Sequence, residues 1–569
     1  MKKFIHSLVA ALAGLALTAA SAPSQTVSTV PHLEKQGAAT QLIVDGKAFL
    51  ALAAELHNSS ASSLEYMKPL WPKLVASHLN TVLATVSWEL IEPDEGKFDF
   101  RLVDGLLQEA RANDLHLVLL WFGSWKNGKS SYQPLWVKTN QDRFPLACDS
   151  DGKSLPILTT FSDANRDADA RAFAALMRHL READGEQHTV LMIQVENEVG
   201  TLGDSRDRCP AANEAFAKPV PKDLMDYLVQ HKDTLAPELL KGWAAHGSKT
   251  SGTWTEVFGP GKPASVQLYG PDLSDEKKDV YWRQLNWASD EFFMAWRYSM
   301  FVNQVAAAGK AEYDIPMYVN TWLQQPGCPR PGEYPSGGPT PQVHDLWRFG
   351  APAMDILSPD LYIDQFAETC ARYTRNGNPL FIPESKAGVA GAAQAIYAFG
   401  ACNAIGYSPF GADHFAGSDL ELARAYDFLS SVSPLILANQ GKGTMTAVLL
   451  DVTNATQTFQ LGNYKIEAKF WVPPPWTHAT NTMPGPIAGL FISTGPDDYI
   501  VMGRNLAVNF YSTNDSENVG IGTDEEGVYE NGRWVPGRRL NGDEVFEWRT
   551  LHLRDDKYSI QHVKLYRYR

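Results

Sequence analysis

The sequence predicts a (β/α)8 TIM barrel followed by a C-terminal antiparallel β-sandwich, and three observations carry that expectation. Eight short apolar runs alternate with helical stretches between residue 49 and about 438, as in parallel α/β architectures whose crossover helices bury both faces of each strand. Eight is also the number of parallel strands that closes such a barrel. After residue 440 the texture changes to alternating apolar and polar residues, as in Tyr464-Lys-Ile-Glu-Ala-Lys-Phe470 and His562-Val-Lys-Leu-Tyr566. That alternation suits strands with one wet face.

In chain order the strands are expected at Phe49–Ala54, Thr81–Val86, His116–Trp121, Val190–Val195, Pro316–Asn320, Asp355–Asp360, Leu380–Pro383 and Asn403–Ser408. Two helices are legible by their 3.6-residue apolar stripes. One carries Val103, Leu106, Leu107 and Ala110, and the other carries Phe173, Leu176, Met177 and Leu180 behind a cap at Asp163 or Asn165. Between strands four and five, residues 195 to 316 far exceed an ordinary connection. They include a loop from Gly200 to Pro221 and a helical stretch around Asp279–Ala308. The Gly/Pro-rich segment Gln325–Pro341 can form neither helix nor central strand and reads as a structured rim loop. Beyond it, Asn531-Gly532 and Asn541-Gly542 read as hairpin turns. The resulting division is a signal peptide over 1–22, a catalytic barrel over 23–438 with a long insertion after strand four, and a β-sandwich domain over 439–569.

The signal peptide is read from Met1-Lys-Lys-Phe-Ile, the apolar run Leu8 to Leu17 and small residues through Ala22, with cleavage after Ala20 or Ala22. It implies export, to the periplasm. No later apolar run is long enough to span a bilayer. With 16 Trp, 21 Tyr and 25 Phe in 569 residues the chain is rich in aromatic side chains, which suit a sugar ligand although core packing absorbs most of them. A net charge of −15 argues against a nucleic acid or an anionic membrane as partner. The five cysteines (Cys148, Cys209, Cys328, Cys370 and Cys402) are scattered and odd in number, so at least one is unpaired within the chain. Cys402 reads as a core thiol, whereas Cys148, Cys209 and Cys328 lie in polar loops that could hold a bridge. With no CxxC, HExxH or His cluster, neither a metal nor a cofactor is expected.

The chemistry is carried by two strands that each end on a glutamate. Val190–Val195 runs into Glu196-Asn197-Glu198, and Phe381-Ile-Pro leads to Glu384. In a (β/α)8 barrel the strands' C-terminal ends form the active face. Two carboxylates converging there are what glycoside hydrolysis needs, one to protonate the leaving oxygen and one to attack the anomeric carbon or activate a water. Glu196, adjacent in the strand, must point away from that site.

This pattern resembles the clan A (β/α)8 glycosidases, whose acid/base follows an Asn at the end of strand four and whose nucleophile ends strand seven. The resemblance implies acid/base and nucleophile roles for Glu198 and Glu384. Gln194-Val-Glu-Asn-Glu-Val-Gly200 is similar to the Gln-Val-Glu-Asn-Glu-Tyr-Gly motif of glycoside hydrolase family 35, the β-galactosidases, with Val199 in the Tyr position. Trp88, Glu92, Pro93, Gly96, Asp99 and Phe100 match a second family motif after strand two. Glu89 and Ile91 depart from it in a way that also resembles the neighbouring family 42. After strand three the family's Ala-Glu-Trp segment is replaced by Trp121-Phe-Gly-Ser-Trp-Lys-Asn-Gly128, and no aromatic follows Glu384 at the usual spacing.

These departures mark a divergent branch with altered galactose contacts. By the same resemblance Asn197 donates to the sugar 2-hydroxyl, and Trp88, Trp125, Trp322 and Tyr362 are the candidate substrate-binding residues, with Trp121 beside them. The function implied is a secreted, retaining exo-β-galactosidase acting on terminal β-D-galactosyl residues of oligosaccharides, with plant xyloglucan as a source. A different clan A β-glycosidase (β-glucosidase, β-glucosaminidase or endo-glycanase) and a catalytically silent glycan-binding protein are the alternatives. The expected partner is a carbohydrate substrate, and a homodimer is the assembly to test.

Overall fold

Eight parallel strands form the barrel: β1 (Ala51–Glu55), β2 (Thr81–Ser87), β3 (His116–Phe122), β4 (Val190–Val195), β5 (Met317–Trp322), β6 (Ile356–Leu361), β7 (Phe381–Ile382 and Glu384–Ser385) and β8 (Gly406–Tyr407). Nearly every residue in them is buried, which is why they read as continuous apolar runs. The computed structural model describes residues 29–268, 285–472, 482–483, 485–514, 516–530, 532–546, 549–554 and 557–569. The signal-peptide segment therefore lies outside the described residues, as do positions 279–284 of the predicted helical stretch and Asn531 of one predicted turn.

The sheet runs in sequence order from β1 to β7 and closes through β8. Pro383 has no N–H to give to the ladder, and β7 is divided there. Its first piece pairs Phe381 with Gly406 and Ile382 with Tyr407, while its second pairs Glu384 with Asp360 and Ser385 with Leu361. The seam between β8 and β1 is tied beyond the strand ends. Glu55 N–H donates to Pro409 C=O (2.8 Å) and Gly411 N–H to Glu55 C=O (2.8 Å). Asp413 accepts from the His57 backbone N–H at 2.9 Å and meets the His57 ring at 2.7 Å.

One mouth of the barrel is plugged. A three-stranded antiparallel sheet (His32–Gln36, Ala39–Val44, Lys47–Phe49) inserts Leu42 and Val44 among the interior side chains Leu83, Val118, Leu120, Tyr318 and Phe381. The open mouth is the one at the strands' C-terminal ends. Helix α1 (Asp163–Asp184) buries the predicted stripe of Phe173, Leu176, Met177 and Leu180, but its cap is Ser162, whose hydroxyl accepts from Asn165 N–H. The insertion after β4 is helical and ends in α2 (Ala288–Lys310), which crosses α1 so closely that a Cβ on Gly309 would lie 2.2 Å from the Phe173 ring.

After α3 (Gly388–Ala401) and α4 (Leu420–Asn439) the chain enters two antiparallel sheets, beginning with the strand Met445–Leu450. One sheet has six strands and the other five, and they enclose a second core that includes Val448, Tyr464, Ile466, Phe491, Val501, Val508 and Val563. Asn541 caps the short turn Gly542–Glu544 instead of sitting in a tight hairpin, because its side chain accepts from Gly542 N–H. The six-stranded sheet turns its other face to the barrel, where Ala488, Leu490, Ile492, Ile500 and Met502 join the barrel's own core.

All five cysteines are thiols. The expectation of a bridge among the loop cysteines does not hold, since Cys209 Sγ is instead engaged with Asp207 (3.4 Å) and Thr159 (3.6 Å). Cys402 is half-buried at the C-cap of α3 and not in a strand.

The packing of the sandwich on the barrel is testable at Gly400 on α3, where an added Cβ would lie 2.8 Å from the Ala447 Cβ and 2.9 Å from Leu490 Cδ1. Gly400→Leu overpacks that contact and is expected to cost about 1–3 kcal/mol, read as a lowered urea midpoint with unchanged slope.

Candidate active site

At the open mouth the ends of β1, β4, β6 and β7 bring four carboxyl groups together. Glu198, Asp360 and Glu384 each place an oxygen within 4.8 Å of the others. Glu55, the last residue of β1, and Lys126, on the loop after β3, face the same space. Glu198 is 7% exposed and Glu384 6%.

The end of β4 is folded to send its two glutamates opposite ways. Glu196 and Glu198 have left-handed φ values of 63° and 45°, so the chain corkscrews at the strand end instead of continuing as a strand. Glu196 turns beneath the β3 loop and accepts from the backbone N–H groups of Ser124 (3.2 Å) and Trp125 (2.7 Å). Burial and the adjacent Asp169 carboxyl hold Glu196 well above the usual carboxyl range, so it keeps its proton and donates it to Asp169. Asp169 in turn accepts from Trp121 Nε1 (2.9 Å) and Ser124 N–H (3.0 Å).

Glu198 faces the cavity. Its N–H donates to Asn320 Oδ1 (2.8 Å) and its C=O accepts from Gly128 N–H (3.0 Å). Burial first, and the Glu384 charge second, push its carboxyl up to about 7, against the opposing pull of Lys126. Asp360 is raised well above its ordinary value by burial and by Glu384, Glu198 and Glu55, and it hydrogen-bonds Glu198. Three neutral donors surround Glu384: Tyr362 Oη at 3.1 Å, Asn320 Nδ2 at 3.4 Å and Asn197 Nδ2 at 3.5 Å. Asn197 Oδ1 is buried without a hydrogen-bond partner.

The sequence-predicted residues divide accordingly. Glu198, Glu384, Asn197 and Tyr362 meet at one point. Trp322, at the end of β5, is half-buried with its indole N–H unpartnered. Trp88 and Trp125 have no exposed surface to offer a sugar. Trp88 donates to Glu92 (2.8 Å), which also accepts from Gly96 N–H, so the strand-two motif ties a structural knot. Trp125 donates to Leu158 C=O (3.2 Å) and packs edge-on against Tyr298 and Phe301. Trp121 is likewise buried on Asp169. Sequence reasoning missed Glu55, Lys126, Asn320 and Asp360. Glu55 and Asp360 carry the same signal as Glu384, an acidic residue at the end of an apolar strand.

A (β/α)8 barrel that gathers opposed glutamates at its C-terminal mouth has the layout of a glycoside hydrolase. The model of glycoside hydrolase family 42, described as beta-galactosidase, matches residues 70–394, more than half of the chain, and the chain belongs to that family. The family shown is thus 42, in place of the family 35 that the strand-four motif resembles. A domain of unknown function (DUF5597) matches residues 422–551. A beta-galactosidase of Xanthomonas manihotis is 32% identical over 219 residues, covering 36% of this chain and 32% of that protein, so the match spans about a third of the relative. Among solved structures, the beta-galactosidase from Bacillus circulans sp. alkalophilus is 16% identical with a TM-score of 0.44, covering 68% of this chain and 57% of its own. That from Rahnella sp. R3 is also 16% identical, with a TM-score of 0.42 and the same coverage.

Glu196 is the structural member of the pair of glutamates. Glu196→Ala leaves the buried Trp125 N–H unsatisfied, while Ser124 N–H keeps Asp169, and is expected to lose about 1–3 kcal/mol in chemical denaturation. Glu196→Gln, which keeps an acceptor for one N–H and a donor for Asp169, recovers most of that loss.

Proposed function

We propose that this protein is a retaining β-galactosidase in which Glu198 is the acid/base and Glu384 the nucleophile. The observation that carries the reading is the close approach of the two carboxyls, with oxygens no more than 4.8 Å apart, in a site where Glu198 is pushed up to about 7 and Glu384 faces three neutral donors. Retaining enzymes hold their carboxyls roughly 5–5.5 Å apart, whereas inverting ones need about 6.5–9.5 Å to admit a water.

In the first step a Glu384 oxygen bonds to the anomeric carbon as the bond from that carbon to the aglycone oxygen breaks. The Glu198 proton passes to the departing oxygen. In the second step a water attacks the anomeric carbon, yields its proton to Glu198, and releases Glu384 as carboxylate. Asn197 Nδ2, already directed at Glu384, is placed for the sugar 2-hydroxyl. The burial of both glutamates favours a blind pocket that takes one terminal sugar over a cleft that threads a chain. Export, and oligosaccharides from plant xyloglucan as the source of that sugar, are parts of the proposal that rest on the N-terminal sequence and on the family resemblance.

A second reading keeps the mechanism and changes the glycone. It is favoured by the β3 loop, where Lys126 occupies the neighbourhood of the missing Ala-Glu-Trp segment. Brief exposure to a 2-fluoro-β-galactosyl inactivator followed by peptide mapping separates the two. An adduct on Glu384 is expected from the galacto compound, while labelling by the gluco isomer alone would replace the sugar and no adduct from either would remove the mechanism.

The pH dependence has a definite sign. Glu198 holds its proton below about 7 and loses it above. The kcat/KM for a glycoside with a poor leaving group is therefore expected to fall as pH rises through about 7. With an activated aryl leaving group, Glu198→Ala should retain formation of the glycosyl-enzyme and lose that alkaline limb.

A further inference from the structure

Two groups in the pocket have no role in the bond-breaking steps, and both are held with more care than a bystander needs. Glu55 is fully buried, and neither of its carboxyl oxygens has a hydrogen-bond partner. A buried polar group left in that condition costs about 1–3 kcal/mol, so the fold itself gains nothing by it. Its backbone is fixed on both sides by the β8–β1 seam, through Pro409 and Gly411.

Lys126 is the complementary case. It opens the turn Lys126-Asn127-Gly128-Lys129, closed by Lys126 N–H to Lys129 C=O (2.8 Å) and Lys129 N–H to Lys126 C=O (3.0 Å). Asn127 and Gly128 adopt φ values of 52° and 62°, the two left-handed centres of a type I′ turn. The Gly128 N–H is anchored on Glu198 C=O, which fixes the turn to the acid/base itself. The side chain is 7% exposed and its Nζ lies 5.2 Å over the Phe122 ring. It faces Glu384, Glu198, Glu55 and Asp360, yet among the described residues no ion pair or hydrogen bond joins its Nζ to any of them. An ammonium ringed by carboxyls and touching none sets one strong donor among several acceptors.

We propose that Lys126 and Glu55 are the specificity-determining pair of this pocket: between them they seat hydroxyl groups of a neutral hexopyranose that lie away from its anomeric carbon. The inference rests on the glycosidase reading above and deepens it. A hydroxyl both donates and accepts, so one bound between the pair satisfies the ammonium and a Glu55 oxygen together. A site built this way rejects a sugar that lacks the hydroxyl, because its own buried groups are then left unpaired. The other walls are more fully engaged: Asn197 Nδ2 and Tyr362 Oη are turned to Glu384, Asn320 Nδ2 lies between Asp360 (2.9 Å) and Glu384 (3.4 Å), and Asp360 is turned to Glu198 with one oxygen left over, whereas Glu55 has both oxygens unpartnered. Tyr318, buried with its hydroxyl unpartnered and facing Glu55, adds a further donor at the pocket floor.

The test uses Lys126→Met and Glu55→Leu in the full-length protein, each with a thermal melt to show that it folds. Wild type and variants are compared on an aryl β-galactoside, the matching β-glucoside, and the 3-, 4- and 6-deoxygalactosides. Removing the hydroxyl that the pair reads is expected to cost wild type about 10- to 100-fold in kcat/KM, the size of one or two charge-assisted hydrogen bonds. Lys126→Met or Glu55→Leu should lose as much on the parent glycoside and lose nothing more on that deoxy analogue. Variants that discriminate among the analogues as wild type does overturn the proposal.

Calorimetric titration with galactose and with glucose gives a readout that does not need turnover. If wild type hydrolyses none of these glycosides yet binds one of the sugars, the glycosidase reading fails while a tenfold weaker affinity in either variant upholds the pair. Unchanged affinity in both variants overturns it, and a wild-type protein that binds neither sugar overturns both readings.

Discussion

Four carboxyl groups share one buried space at the barrel mouth, and their mutual repulsion is the constraint around which the rest of the site is arranged. Two unit charges 4 Å apart interact by about 1 kcal/mol in water but by about 4 kcal/mol at the effective dielectric of a protein's outer layers. Glu55, Glu198, Asp360 and Glu384 therefore cannot all be ionised at once. The structure relieves the conflict by letting burial and neighbouring charge keep protons on Asp360 and Glu55, and by leaving Glu198 near neutrality. The same crowding that raises Glu198 surrounds Lys126. Burial pulls the lysine down, but the carboxyls around it, Glu384 first, outweigh that pull and raise it above its ordinary value.

Such an arrangement needs a rigid frame, and the frame is concentrated on the end of β4. Non-glycine residues with left-handed φ, such as Glu196 and Glu198, store strain of roughly 1–3 kcal/mol each. That strain is offset by the loops on either side. The β3 loop is pinned by Glu196 and Asp169 from below and by the Gly128 amide from above. On the far side Gly200 has φ of 145° and no room for a Cβ against Pro335, while Thr201 and Ser336 exchange backbone hydrogen bonds of 2.9 and 2.8 Å. The Gly/Pro-rich segment after β5 is thus a clamp on the residues just beyond Glu198.

Barrel strands were legible in the sequence because burial on both faces leaves an unbroken apolar run, and the two catalytic candidates were legible because each ends one. The same rule applied to Leu50–Glu55 and Ile356–Asp360 would have found Glu55 and Asp360. Lys126 was hidden for a different reason. It belongs to a loop, where no periodicity records which way a side chain points, and only the Asn127-Gly128 pair hinted at a tight turn. The tryptophans failed in the opposite direction. Trp88 and Trp125 sit beside the right motifs, but an indole needs a partner for one N–H and a large apolar volume, and the core supplied both. Ser162 was passed over as a cap because Asp163 and Asn165 are cap-forming types too, and only geometry decides among three such residues so close together.

The C-terminal sheets bear on the same constraint from a distance. Glu384 lies on the second half of a strand that Pro383 has divided, so each half of β7 is held by a ladder of only two residue pairs. Side-chain bonds from its last residue make up the difference. Ser385 Oγ meets Tyr407 Oη at 2.8 Å, and Tyr407 reaches Gln394 on α3 at 3.1 Å, coupling β7, β8 and α3 into one unit. Helix α3 is then pressed from its outer side by Ala447 and Leu490 of the six-stranded sheet. Arg504, just after that sheet's central strand Asp498–Gly503, pairs with Glu421 of α4 at 2.5 Å, and Tyr558 stacks on Phe428 with ring centres 5.0 Å apart. The sandwich thus backs a sector of the barrel whose own ladder is interrupted, and that sector carries Glu384. A β domain placed there serves the position of a carboxylate it never touches.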